Sequence, residues 1–343
     1  MASSAPGRSL IHERFPPTAA TLPRIPLCSL PTPVRAAPGL GADVWVKDDA
    51  RSAEPWGGNK PRKLEWILAD ARARGRRTIL TFGGIGTNHG LATAVYARRA
   101  GIDCVLALAE QPRDEHVERQ LGRLRAAASR VYLTGTARRT ALAAPLIALR
   151  HSQRRPPRAP YLLAPGGSSP TGALGFVEAA LELAEQVASG ELPEPRSVVV
   201  ALGSGGSAAG LAAGFALSGL GTRVHAVLVN DQLRLSEASV LRLAGRTLRL
   251  LRRRGADVSG ARLDPGSVRV VEGFMGAGYG HATAAGDAAR ALGADAEGLA
   301  LDPVYTGKAL AALLAGAAGG GPVVFWNTNN GLPYGDGPVG STA

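Results

Sequence analysis

The stretch SVVVALGSGGSAAGLAAGFAL, Ser197–Leu217, decides the fold. A Val-rich run leads into Gly203-Ser204-Gly205-Gly206-Ser207, and a small-residue helical pattern starts at Ala208 with no spacer. A continuous apolar run predicts a strand buried on both faces, and such strands, followed at once by helices, belong to parallel sheets. The turn carries little side-chain bulk and leaves backbone N–H groups at the positive end of a helix, which suits a phosphate. An empty tight turn is the plainer reading. A dinucleotide fold is a third, with Ala208 at the last position of the GxGxxG pattern and Asp231 closing the next strand. No Walker lysine follows, which excludes an NTPase loop.

Outward from this unit the same wording recurs. Upstream lie a strand at Asp43–Lys47, a helix from Lys60 or Pro61, a strand at Thr78–Phe82, a glycine turn and a helix from His89 to Ala100. A strand at Cys104–Ala109, a helix from about Glu115 to Ala128, a strand at Val131–Leu133 and a helix at Gly172–Ala188 come next. Downstream are a strand at Val224–Val229, a Leu/Arg-rich helix to about Arg254 and a last strand at Val323–Trp326. The alternation predicts an α/β protein of two doubly wound three-layer lobes with parallel-rich sheets, whose ligands sit beyond the carboxyl ends of strands. Residues 1–20 read as an extended arm, 21–56 and 161–335 as a large cofactor-binding domain, and 57–160 as a small domain carrying Lys60 and the Thr87-Asn88-His89 loop. The Arg/Pro-rich segment Arg138–Pro160 reads as a hinge, and residues 336–343 as a tail.

Composition narrows the function. The chain of 343 residues is 45% hydrophobic and 19% charged, enough for a sizeable core. It has no apolar run of membrane-spanning length, and MASSAPGRSLIHERFPP has no signal-peptide core, so the expectation is a cytoplasmic protein without a membrane partner. Two cysteines with no CxxC and no zinc spacing predict neither a disulfide scaffold nor a metal site. The net charge of +12 is spread over 35 arginines and 4 lysines with only 5% aromatics, a poor pattern for nucleic acid. In so arginine-rich a chain a retained lysine asks for an explanation that arginine cannot satisfy, because only an amine with an accessible neutral form condenses with a carbonyl.

Six segments carry candidate chemistry. Gly57-Gly58-Asn59-Lys60 enters a helix and places an amine in its positive end, favouring the neutral form; an exposed helix-start lysine is the plain alternative. Gly83–His89 sets a hydroxyl (Thr87), an amide (Asn88) and an imidazole (His89) at the ligand edge of a sheet, where helix capping is the other reading. The glycine turn Gly203–Ser207 is the third. Tyr279 between two glycines, Asp302–Lys308 with Tyr305 and Thr306, and Asn327-Thr328-Asn329-Asn330 after the last strand complete the set.

In this order and spacing, from about Pro31 to about Gly331, the segments resemble the D-cysteine desulfhydrase and 1-aminocyclopropane-1-carboxylate deaminase family, fold-type II pyridoxal-phosphate enzymes with a tryptophan synthase β-like fold. GGNKPRKLE around Lys60 and DPVYTGKA at Asp302–Ala309 carry most of the likeness, with Pro165-Gly166-Gly167-Ser168 a further shared stretch. The resemblance implies pyridoxal 5'-phosphate held by Lys60 as a Schiff base, Asn59 by its phenolic oxygen, Asn88 by the ring, and Gly203, Ser204, Gly205, Gly206 and Ser207 around the phosphate. It implies Thr306 or Thr328 near the pyridine nitrogen, and Thr87, Asn88, His89, Tyr279 and Tyr305 toward the substrate, with Lys60, Thr87, Tyr279 and Tyr305 catalytic. Thr306 stands where the cyclopropane deaminases typically carry glutamate. Asn327-Thr328-Asn329-Asn330 replaces the family's usual His-Thr-Gly-Gly. The implied activity is α,β-elimination on a small amino acid such as D-cysteine by a homodimer, with deamination, β-replacement or racemisation as alternatives. A nicotinamide-dependent oxidoreductase and a non-catalytic binding protein are the readings from other classes.

Overall fold

A computed structural model describes residues 8–113, 115–154 and 156–331. Along the chain run α1 (Leu10–Arg14), α2 (Thr18–Thr21), β1 (Val34–Ala36), β2 (Val44–Asp48), α3 (Asn59–Ala73), β3 (Thr78–Gly84), α4 (Asn88–Arg99), β4 (Asp103–Ala109), α5 (Glu115–Ala127), β5 (Arg130–Gly135) and α6 (Ala137–Arg150). Then come β6 (Gln153–Arg154), β7 (Pro157–Arg158), β8 (Tyr161–Leu163), α7 (Pro170–Ala188), β9 (Ser197–Leu202), α8 (Gly206–Ser218), β10 (Arg223–Leu228), α9 (Glu237–Arg253), β11 (Val268–Val271), α10 (Ala284–Glu297), α11 (Thr306–Leu314) and β12 (Val323–Asn327). Two compact units result. The larger spans residues 8–22, 26–63 and 168–331, and the smaller spans 23–25 and the described residues of 64–167.

The larger unit is built on a six-stranded sheet in the order β1-β2-β12-β9-β10-β11, parallel except for β1 against β2. Its central strands β12 and β9 are mostly apolar: Val198, Val200, Val324, Phe325 and Trp326 are fully buried. Such two-sided burial requires helices on both faces. On one side α8 packs tightly on α7, because Gly210 and Gly214 present no side chain where a Cβ would collide with the Ala173 carbonyl and the Ala180 methyl. On another face α11 joins a core of Val199, Val227, Leu310 and Phe325. The smaller unit has a parallel four-stranded sheet, β5-β4-β3-β8, with a separate antiparallel pair, β6-β7.

Three expectations change here. Residues 8–22 are not an extended arm: Ser9 caps α1, and Glu178 of α7 accepts from the Ser9 hydroxyl and, at 2.9 Å, from the Leu10 N–H. Lys60 belongs to the larger unit, since the boundary falls after Lys63 within α3. The cause is Arg62, buried to 1% exposure, whose guanidinium binds Asp49 at 2.8 Å and Glu182 at 3.0 Å. Finally, Arg138–Pro160 is mostly the helix α6, capped by Thr136. Its arginines and Pro145 disguise an inward face of Thr140 and Ile147 that covers Leu80, Val105 and Ala107. No helix among the described residues is long and apolar enough to cross a membrane.

Candidate active site

The glycine turn after β9 lies in the larger unit, at the start of α8. Gly205 adopts φ +88°, a left-handed conformation that favours glycine, and caps α8 without a side chain. The turn is braced from outside: Asn230 donates to the Gly203 carbonyl at 2.8 Å, and the Ser168 hydroxyl lies 2.8 Å from that of Ser204 and accepts from the Gly206 N–H at 2.9 Å. A Cβ on Gly206 would stand 2.7 Å from the Ser168 oxygen and 3.0 Å from the Lys63 Nζ, so the space before the helix is lined by a hydroxyl and an amine.

Lys60 lies in the first turn of α3, where a helix N-terminus disfavours a cation. Burial lowers its pKa to about 8, against the opposing charge of Asp302. Lys63, one turn along the same face, is held well below the ordinary lysine range by burial and then by Lys60. Asn59 bonds the Ser207 hydroxyl at 3.4 Å, tying the start of α3 to the start of α8.

The loop before Lys60 is latched by the Asn-rich turn. The Gly57 N–H donates to the Asn330 side chain at 2.8 Å and the Asn59 N–H to the Thr328 carbonyl at 3.2 Å. A Cβ on Gly58 would meet that same carbonyl at 2.7 Å. Asn327, fully buried, donates to Asp48 at 2.9 Å and accepts from the Asn329 N–H. These asparagines therefore act on backbone and on Asp48.

Asp302 organises the other wall. Its carboxylate accepts from the N–H groups of Val304, Tyr305 and Thr306, at 2.9, 2.6 and 3.1 Å, and from the Thr306 hydroxyl at 2.7 Å. The Thr306 oxygen in turn accepts from the Asp302 N–H. Its one hydroxyl proton is thus committed to Asp302, and Thr328 is the threonine of the pair without such a bond. The Tyr279 and Tyr305 hydroxyls are 2.5 Å apart with their rings edge to face. Burial raises both phenol pKa values, that of Tyr305 more strongly, so both are protonated at neutral pH. The Tyr305 ring abuts Gly203. Asp231, the acid a dinucleotide fold would turn to ribose, instead accepts from the Tyr279 N–H at 3.2 Å.

Thr87, Asn88 and His89 lie in the smaller unit at the carboxyl end of β3. Thr87 caps α4 through the Gly90 N–H at 3.1 Å, and Asn88 accepts from Gln120 at 2.9 Å. His89 turns inward: it is buried, and its Nε2 lies 3.3 Å from the Thr81 hydroxyl, whose proton goes to the Leu163 carbonyl. His89 thus bonds toward β3 rather than standing exposed on the loop. Lys63, Ser168, Asn230 and Asp302 were not assigned roles from sequence. The i, i+3 spacing of Lys60 and Lys63 in a chain of four lysines is the signal that would have found the first.

A family model described as pyridoxal-phosphate dependent enzyme matches residues 25–329. The D-cysteine desulfhydrase of Salmonella choleraesuis (strain SC-B67) is 35% identical over 318 residues, 89% of this chain and 93% of the relative. That of Salmonella newport (strain SL254) is 34% identical with the same coverage. Among solved structures an ACC deaminase homologue superposes with a TM-score of 0.73 at 30% identity, covering 93% of this chain and 94% of that one. The threonine deaminase of T.th. has a TM-score of 0.60 at 22% identity, over 96% and 100% of the two chains, and supports the fold alone. Among the described residues no cluster could hold a metal ion.

The donor set fits a phosphate-bearing aldehyde. The cradle before α8, which a Cβ at Gly206 would fill, offers N–H groups, the Ser204 and Ser207 hydroxyls and the Lys63 amine to a phosphate. The buried Lys60 amine, neutral in a large fraction near pH 8, suits covalent capture of an aldehyde.

Proposed function

The chain belongs to the family of pyridoxal-phosphate dependent enzymes, and from that premise we propose that it catalyses α,β-elimination on a small amino acid such as D-cysteine, yielding pyruvate, ammonia and sulfide. The observation that carries this reading is the buried Lys60 amine, with its pKa lowered to about 8, in the same unit as a braced phosphate-sized turn. Bound pyridoxal phosphate would withdraw electrons from the substrate's α-carbon and stabilise the charge left by proton removal.

This chain's residues supply the rest. The Ser204 and Ser207 hydroxyls, the turn's N–H groups and Lys63 would hold the phosphate, and Asn59 and Thr328, whose hydroxyl has no bond to Asp302 of the kind that holds Thr306, would serve the ring. Lys60 Nζ, neutral above about pH 8, takes the α-proton. The protonated Tyr279–Tyr305 pair is better suited to give a proton than to take one, so it protonates the departing sulfur as the Cβ–S bond breaks. The released enamine then hydrolyses. Thr87 and Asn88 are proposed substrate contacts on the family resemblance alone. Thr306, a threonine locked to Asp302 where the cyclopropane deaminases typically carry glutamate, favours elimination over ring opening.

The 30% identical ACC deaminase homologue keeps deamination of the cyclopropane amino acid as a second reading. D- and L-cysteine, serine and the cyclopropane substrate, assayed for pyruvate and 2-oxobutanoate, separate the two. Pyruvate and sulfide from D-cysteine are expected, and 2-oxobutanoate alone would reverse the order. We further propose a cytoplasmic homodimer, a reading supported by the family resemblance and by only two cysteines.

A further inference from the structure

At the amino ends of three neighbouring strands, β9, β10 and β11, the larger unit holds a cavity of about 350 Å³, toward the small end of ligand-sized clefts. Arg196 precedes β9, Arg223 opens β10 and Arg269 lies in β11, and all three line it. The parallel register sets Arg223 beside Ser197 and His225 beside Arg269, so these four residues share one face of the sheet. Like charges on adjacent strands repel. None of the three guanidiniums has a carboxylate partner among the described residues. Two acids of the neighbourhood are engaged by backbone instead, Glu194 by the Gly221 N–H at 2.8 Å and Glu237 by the Val270 N–H at 3.0 Å.

The rest of the lining suits an anion. Carbonyls that would repel one are covered, that of Ala317 by His225 Nδ1 at 3.0 Å and that of Ala318 by the Ser197 hydroxyl at 3.3 Å. Because Nδ1 donates, Nε2 of the same ring is a lone pair when the imidazole is neutral and a second donor once it is protonated. Burial lowers the pKa of this ring, and the Arg269 and Arg223 charges add to that, so both guanidiniums act on it. Gly319 and Gly320 also line the cavity, and a Cβ on either would meet nothing within 4 Å, which leaves the mouth open. This is not the cofactor cradle. β9 runs the whole way from Ser197 to Leu202 before Gly203 is reached, which separates the two places by about 20 Å.

We propose that Arg196, Arg223 and Arg269 bind a small multivalent oxyanion at the end of the sheet remote from the cofactor. Three planar guanidiniums on one cavity suit paired oxygens, whether of phosphate or of carboxylate. The protein loaded with pyridoxal phosphate, its cradle filled, is titrated calorimetrically in phosphate-free buffer with pyrophosphate and, separately, with citrate. Binding of one probe per chain is expected, and the tighter of the two identifies the oxyanion. Arg223→Ala/Arg269→Ala should weaken it at least about tenfold, the factor that a lost charged hydrogen bond commands. Arg138→Ala/Arg139→Ala, which removes the same charge from α6, should bind as the parent does. In the parent, the His225 imidazole resonance, assigned by its loss in His225→Gln, should shift with the same saturation. Dissociation constants above about 5 mM for both probes, or equal weakening in the two arginine pairs, would overturn the site. A His225 resonance that stays fixed while heat is released puts the anion elsewhere and overturns it too.

Discussion

At the scale of single residues, Lys60 is governed by the cost of burying its charge. With its pKa lowered to about 8, the folded chain binds fewer protons than the unfolded one between that value and the ordinary lysine pKa of 10.5, so stability from this group rises with pH across that interval. The neutral fraction rises through the same midpoint. Stripped of cofactor, the protein should recapture pyridoxal phosphate faster as pH increases, with a midpoint near 8, followed by growth of the visible band. A rate independent of pH from about 6.5 to about 9.5 contradicts this. Lys60→Ala should show no such band. For the tyrosines, Tyr279→Phe should lower kcat by roughly 10²-fold while KM moves little, the signature of a lost proton donor. Thr306 teaches the opposite lesson. Sequence placed a hydroxyl near the cofactor, but its single proton goes to Asp302, a partner four residues back that spacing alone does not rank above a ligand.

At the scale of elements, the start of α3 hangs on a buried ionic cluster. Arg62 bridges Asp49 and Glu182, Lys47 also binds Glu182, and Trp326 donates to Asp49 at 2.9 Å. Replacing Arg62 by Met removes the cation paired with buried Asp49 and leaves Glu182 to Lys47 alone, and should cost about 3–5 kcal/mol in urea unfolding. Burial alone would raise the Glu182 pKa, but Arg62 and Lys47 outweigh it and hold it at about 2, so its stabilisation is complete above 4.5 and is lost as pH falls from there through about 2. Glu182→Gln should flatten that part of the acid profile. α3 also approaches α7 closely enough that a Cβ on Gly175 would strike the Arg62 carbonyl, whereas one on Gly122 in α5 meets nothing within 4 Å. Gly175→Ala is therefore expected to destabilise by several kcal/mol, and Gly122→Ala to stabilise by up to about 1 kcal/mol. The strands β9 and β12 were legible because burial on two faces leaves an almost unbroken apolar run, Val198–Leu202 and Val323–Trp326. Helix α6 was not, because its outward leucines and inward alanines invert the pattern by which a surface helix is read.

At the scale of the whole molecule the question is where a net charge of +12 goes. The acidic residues are spent on arginines close by, as in Arg113 with Glu110 and Glu118 or Arg290 with Asp287, each largely exposed and worth little. The surplus arginines repel one another, a field that falls off over about 10 Å at 0.1 M salt. Raising sodium chloride from about 10 to about 150 mM should therefore raise the thermal midpoint, against the usual weakening of surface ion pairs. The proposed substrate is an amino acid with little net charge, so this field does not steer it, and kcat/KM should change less than about twofold over the same range. Duplex DNA is different: any retention reflects scattered cations without base-stacking aromatics, and should be lost by about 0.2 M salt. Titrating a fluorescent duplex and assaying turnover in the same salt series tests both. Persistent DNA binding at about 0.3 M would mean that the arginines form a built surface after all. A kcat/KM that falls in parallel would instead mean that the true substrate carries the negative charge this chain lacks.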